Sequence, residues 1–422
     1  MLSGCAPLQG SDGNETAQFQ EIATNATYGC RRPHGYGLYD AAAGKTFVCW
    51  NGGGMSVFGR AFDHAAGEWS PVKEIRHLEY FSRPDYHNYP NMAQAPDGRL
   101  MIAWADHGDS LFLARANQPH DLMGEWETRE IAVGKNAYPM LISTEDAVYV
   151  FYSVNMDIRW PYRPFGYIKS VDHGATWSEH RPAFDSQKKD PGKYDEVYAN
   201  NFEVEAATPE HPLRIQFAWT MHGGPTGHNR GSRNAYFAYF MPETETWMAA
   251  DGTELGDLID LDEMLAHCIV VESGPAPDDL LIRGLVSTHL DTGEPVVAYS
   301  RDRTVHWAVH RDGEWQHREI APGFPTDLRR KEDGTLRMAS HVDVTTSQLQ
   351  VWELDEAARE WRLVLESEIP FGNGSDRAWQ TAFIDQGRPE FEMLIQQKNR
   401  EEDRSDYSGK WPVFAVDLSA AP

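Results

Sequence analysis

Basic residues are scarce in this chain. Its 38 Lys and Arg stand against 64 Asp and Glu, a formal charge of −26 over 422 residues. Nothing in that balance offsets repulsion from phosphates, which excludes nucleic acid as a partner. An acidic substrate would need a local basic pocket that reverses the field. Cysteine is scarce too. Cys5, Cys30, Cys49 and Cys268 show no C-x-x-C spacing, which argues against a zinc ribbon, and whether Cys30 and Cys49 pair stays open. No run is long and apolar enough to span a membrane. Leu2-Ser3-Gly4-Cys5 has the form of a lipoprotein cleavage box, yet the charged and apolar regions of a signal peptide do not precede it. Together with glycosylation acceptors at Asn14, Asn25 and Asn373, it sets the expectation of a secreted, periplasmic or cell-surface protein. Helical periodicity is nearly absent, with one short candidate between Glu254 and His267.

What the chain does have is aromatic residues, glycine and proline. Fourteen Trp, 17 Tyr and 18 Phe with 35 Gly and 25 Pro favour many short strands and turns over a helical bundle. A theme recurs with irregular spacing on the scale of 40 to 60 residues: two short apolar runs, a turn, then a Trp, in most cases near Gly, Ser or Thr, as at Trp69, Trp126, Trp177, Trp247, Trp315 and Trp361. Repeats of that length signal propeller blades, small antiparallel sheets whose edges radial repetition protects. Ser170-Val171-Asp172-His173-Gly174-Ala175-Thr176-Trp177 fits the Asp-box pattern of sialidase-type blades. Asp172 can bond turn amides and Gly174 can take a left-handed conformation, so the motif reads as architecture and names no reaction. Residues 1–27 are polar and are expected to form a flexible arm, and 28–422 one all-β propeller domain.

The chemistry concentrates between Tyr80 and Ala116. Pro96-Asp97-Gly98-Arg99 is a tight-turn signal, and Asn91 to Gln94 with Leu100 to Trp104 read as the two strands of a hairpin. His87 and Asn88 precede the hairpin and His107 follows it. Two imidazoles that a hairpin can bring to one rim look like proton-transfer equipment.

Asp85 to Met92, Ala137 to Met140, Tyr167 to Ser178 and Ile215 to Leu255 resemble the BNR-repeat polysaccharide lyases. That group includes the ulvan lyases and the L-rhamnose-α-1,4-D-glucuronate lyases. The resemblance implies a seven-bladed β-propeller with Asp-box-type blades. It also implies β-elimination at rhamnosyl-glucuronate linkages of an acidic polysaccharide. Its pattern carries over to His87 and His107 as paired histidines, to Tyr152 at the end of a strand, and to His222. Members often carry Arg where Ser153 stands here, so the carboxylate-binding cation is left open among Arg163, Lys169, Arg230 and Arg233.

A uronate lyase removes the proton at C5 and expels the group on O4. The carboxylate must be neutralised as enolate-like charge develops, a task suited to the planar fork of Arg. A near-neutral base, His87 or His107, takes the proton, and Tyr152 protonates the leaving oxygen, with the roles exchangeable. Asn88 can donate to the carboxylate. No cofactor is expected for catalysis. Were the acidic interior to hold a structural ion, oxygen donors would favour calcium over zinc. A monomer is expected. With few cations for a sulfated track, a terminal cut that releases rhamnose from arabinogalactan or gum arabic-type chains is favoured over an endo cut in ulvan. Two other readings stay open. A sialidase-like glycosidase lacks its early Arg-Ile-Pro segment here, and a noncatalytic carbohydrate-binding propeller would have no use for both histidines.

Overall fold

Apolar residues at every position of a strand mean burial on both faces, and this governs the architecture. In Val148–Val154, Val148, Val150 and Tyr152 pack into one apolar cluster while Tyr149 and Phe151 pack into another. The computed structural model describes residues 17–27, 36–77, 89–105, 109–154, 163–186, 194–224, 233–273, 282–331, 333–342, 348–370, 377–388, 390–399, 409 and 411–419. The chain is all-β apart from the helix Leu261–His267 and one 3-10 turn, among the described residues. That helix starts at an Asp260–Glu263 capping box. It occupies the second half of the stretch the sequence offered. No helix among the described residues is long and apolar enough to cross a membrane.

The strands form antiparallel units that follow chain order. Gly37–Asp40, Lys45–Asn51 and Val57–Asp63 make the core of one; Asn91–Gln94, Arg99–Ala105 and Asp109–Pro119 that of the next. The long strand Trp126–Ser143 serves two units. Its first half pairs with Asp109–Pro119 and its second half with Val148–Val154, which continues to Phe165–Ser170 and Arg181–Asp185. Tyr194–Glu205, Arg214–Gly224, Arg233–Met241 and Thr246–Met248 follow, then four-stranded sheets over 283–322 and 324–368. Arg377–Arg388, Phe391–Asn399 and Trp411–Asp417 take their fourth strand from the other end of the chain, Gln18–Ala26. First strands of neighbouring units lie side by side, and Leu38 pairs in parallel with Asp385, so the last unit returns to the first.

The polar arm expected over 1–27 is therefore too long. Gln18–Ala26 is an edge strand with Ile22, Ala23 and Ala26 buried and most of its remainder exposed, a pattern that reads as polar in sequence. Cys49 is buried, and Cys30 lies outside the described residues.

The Asp box is architecture. Asp172 accepts from the Thr176 amide at 2.7 Å, its hydroxyl at 2.6 Å and the Ser170 hydroxyl at 2.8 Å. Burial acts to raise the Asp172 pKa, but these bonds win and hold it at about 2. Gly174 has φ +81°, and a Cβ there would meet the Met101 Sδ at 2.7 Å. Two arginines of the preceding unit grip the loop: Arg115 donates to the His173 carbonyl, and Arg129 to those of Gly174 and Ala175. Asp172→Ala should cost about 1–3 kcal/mol in a denaturant titration, with kcat of the folded protein unchanged. Unchanged stability with lost activity would contradict the architectural role.

Inner strands of several units share a group of buried charges. Asp327 is fully buried, accepts from the Phe383 amide at 2.6 Å and the Leu328 amide at 2.8 Å, and lies 3.7 Å from Arg329. Burial raises its pKa to about 7 against the pull of Arg329, and raises that of Glu203 to about 8 against Arg329 and Thr288. In the unfolded chain both would titrate near about 4. The folded state thus holds protons that the unfolded state releases, and this contribution, full below about pH 4, is lost as pH rises towards about 8. Glu203→Gln should flatten the fall in Tm between pH 5 and 8; an undiminished slope would contradict the assignment.

Candidate functional site

Five side chains meet at one end of adjacent units because strand pairing delivers them there. Tyr138 begins the second half of Trp126–Ser143, Arg163 lies just before Phe165–Ser170, Glu196 and Tyr198 open Tyr194–Glu205, and His222 closes Arg214–Gly224. Asn136 pairs with Val154, Ser153 with Phe165, and Glu196 with His222, which sets all five at the same strand ends. The Asp box follows the opposite end of Phe165–Ser170.

Arg163 is the centre. It is only 6% exposed, and its backbone bridges to Glu196 of the next unit. Its Nη1 donates to the Tyr198 hydroxyl at 2.7 Å and the Tyr138 hydroxyl at 3.4 Å. The guanidinium lies over both rings, at 5.1 Å and 5.4 Å. Nε has no hydrogen-bond partner among the described residues. Burial acts to lower the Arg163 pKa, but Tyr198, Tyr138 and the Glu196 carboxylate more than offset it and raise it, so the group stays charged.

Tyr198 links the charges. Its hydroxyl accepts from Arg163 and donates to Glu196 Oε2 at 3.2 Å, and its ring lies 4.0 Å from the His222 imidazole. Burial, with Tyr138 and Glu196 beside it, drives its pKa up despite Arg163, so the phenol keeps its proton. Glu196 is 1% exposed. Tyr138 holds a left-handed φ of +56°, uncommon for a residue with a side chain and tolerated where packing fixes it. Tyr89, directly after Asn88 in the chain, is buried with its ring 6.4 Å from that of Tyr138.

Of the residues singled out in the sequence, Arg163 and His222 come together. His87, Asn88, His107 and Arg230 lie outside the described residues. Arg233 opens its strand opposite Met221, the neighbour of His222. Tyr152 stands apart from Arg163: it is buried in the interface with the preceding unit, shares a 2.8 Å hydrogen bond with His180 Nδ1, and its pKa is raised by burial. Lys169 is committed elsewhere. It donates to Glu245 at 2.8 Å, and Arg181 and Tyr167 bind the same carboxylate, so the group straps two units together. Its place towards the far end of Phe165–Ser170 explains the difference.

Tyr198, Glu196, Tyr138 and Tyr89 were not singled out by sequence reasoning. The alternation Glu196-x-Tyr198 marks two side chains on one face, the available signal. No group of three or more His, Cys, Asp or Glu converges as a metal site among the described residues. Chemically, the cluster offers a buried cation with an unused donor, an imidazole, and a phenol fixed in its protonated form.

The fold is shared with solved polysaccharide lyases. A polysaccharide lyase family 25 ulvan lyase bound to -[GlcA(1-4)Rha3S]- superposes with a TM-score of 0.73 at 15% identity, covering 94% of this chain and 96% of that one. The polysaccharide lyase Uly1 gives 0.62 at 12% identity, over 96% and 98%. At these identities the likeness shows the fold. No curated protein matches the sequence. The family model described as BNR repeat-containing family member matches residues 45–322. That span is most of the chain and contains Arg163, Glu196, Tyr198 and His222, and by it the chain belongs to the BNR repeat-containing family.

Proposed function

We propose that this protein is a polysaccharide lyase that cleaves the L-rhamnosyl-α-1,4-D-glucuronate linkage by β-elimination on a seven-bladed β-propeller. The antiparallel units in chain order, with Gln18–Ala26 completing the last one, support the blade count. The observation that carries the reaction is Arg163: a charged guanidinium in a buried site whose Nε has no hydrogen-bond partner among the described residues. A planar cation of that kind suits a uronate carboxylate as charge builds on it after loss of the C5 proton. The ulvan lyase that shares the fold was solved with a saccharide of glucuronate and sulfated rhamnose, which supports a linkage between these two sugars.

In this reading Arg163 takes the carboxylate, aided by Asn88, Arg230 and, from the neighbouring strands, His222 and Arg233. His87 or His107 removes the C5 proton, and the proton returned to O4 comes from Tyr152 or from the second histidine. Tyr152 can serve only if its hydrogen bond to His180 is exchanged for one to the leaving oxygen. Tyr198 keeps its proton between Arg163 and Glu196 and acts as support. The protein acts outside the cell or at its surface, as a monomer.

His87→Ala and His107→Ala should each abolish turnover and leave the melting transition in place; wild-type kcat in either would remove that residue from the mechanism. For the cut itself, gum arabic should yield free rhamnose and an ultraviolet-absorbing unsaturated glucuronate on the remaining chain. Unsaturated oligosaccharides from ulvan, with no rhamnose from gum arabic, would shift the reading to an endo-acting ulvan lyase. Saturated products alone would overturn elimination altogether.

A further inference from the structure

A cation buried to bind one anion needs a counter-charge while that anion is away. Around Arg163 the counter-charge is already built in. Glu196 is 1% exposed, bridges to Arg163 through the backbone, and reaches the guanidinium through one hydroxyl: Arg163 Nη1 to Tyr198 Oη at 2.7 Å, Tyr198 Oη to Glu196 Oε2 at 3.2 Å. It also pairs across the sheet with His222. A carboxylate placed close to a site for acidic sugars opposes their charge.

We propose that Glu196 is a specificity-determining residue that reduces the positive field of Arg163, so that the site accepts a single carboxylate and rejects a sugar unit bearing a second anionic group nearby. The inference rests on the lyase reading and deepens it, since it makes an unsulfated glucuronate linkage the preferred substrate. The consequence for Arg163 is direct. With part of its charge offset by Glu196, it has little left for a second anion once one carboxylate is bound. Glu196 acts through Tyr198 and Arg163 and touches no reacting atom, so its effect belongs to ligand affinity and its charge dependence.

Calorimetric titration with glucuronate and with its uncharged methyl ester tests this. Glu196→Gln keeps an acceptor for the Tyr198 hydroxyl but removes the charge. It should bind glucuronate at least fivefold more tightly than wild type, with the gain shrinking in high salt and the ester unchanged. Glu196→Asp, which keeps the charge, should resemble wild type. Equal affinities in Glu196→Gln and wild type, or parallel shifts for glucuronate and ester, would overturn the proposal and leave Glu196 a shaping residue. Wild type itself provides a measurement free of any folding defect: rhamnosyl-glucuronate should bind at least fivefold more tightly than the same disaccharide sulfated on rhamnose, and the reverse order overturns the proposal. If wild type forms unsaturated uronate but these affinities do not differ, this inference alone fails. If wild type neither binds glucuronate nor forms that product, the lyase reading fails and takes the inference with it.

Discussion

A small sheet with apolar side chains on both faces cannot stand alone in water; each face has to be covered by a neighbour. Val148–Val154 sends Tyr149 and Phe151 one way and Val148, Val150 and Tyr152 the other. The unit that contains it is therefore stable only between the ones before and after it. The same demand is met by polar fasteners between units, beside others within them. Arg115 and Arg129 hold the Asp box of the next unit, Lys169 and Arg181 share Glu245, and Asp327 caps an amide of Phe383. Gln18–Ala26 completes the last unit with chain from the beginning, so closure is a matter of hydrogen bonds as well as packing.

Function follows from where two units meet. Strands that pack face to face bring their ends together, and Arg163 of one unit is set against Glu196 and Tyr198 of the next. Both units offset the cost of burying the guanidinium, Tyr138 from one and Tyr198 and Glu196 from the next. The strand Tyr194–Glu205 carries carboxyl groups towards both ends. Glu196 balances Arg163 at one, and Glu203, protonated up to about pH 8, faces Arg329 towards the other, some seven residues or about 20 Å away. At Glu203 burial outweighs the pull of the neighbouring arginine and keeps the carboxyl protonated.

What the sequence discloses is local. The Asp box could be read because the bonds of Asp172 to Ser170 and Thr176 are local, and the strand rhythm was visible because turns and Trp positions repeat. Gln18–Ala26 was hidden, because an edge strand exposes most of its side chains and looks like a tail. Lys169 looked like a free cation, for its partner Glu245 is 76 residues away. Arg163 and His222 could be named as candidates, yet the residues that give Arg163 its properties, Tyr138, Tyr198 and Glu196, are ordinary strand residues until the units are packed. Their role is a tertiary fact.

The central claim is that Arg163 neutralises a substrate carboxylate during elimination. It is tested most directly by comparing Arg163→Ala with wild type on a glucuronate-containing substrate and on the same substrate with its carboxyl groups methyl-esterified, following unsaturated product. Without a carboxylate there is no charge for the guanidinium to meet. The account predicts that kcat/KM falls by about 10²–10³-fold on the free acid and by less than about tenfold on the ester, in line with the loss of one preorganised charge-stabilising group. Equal losses on both substrates, or no loss on the acid, would contradict it.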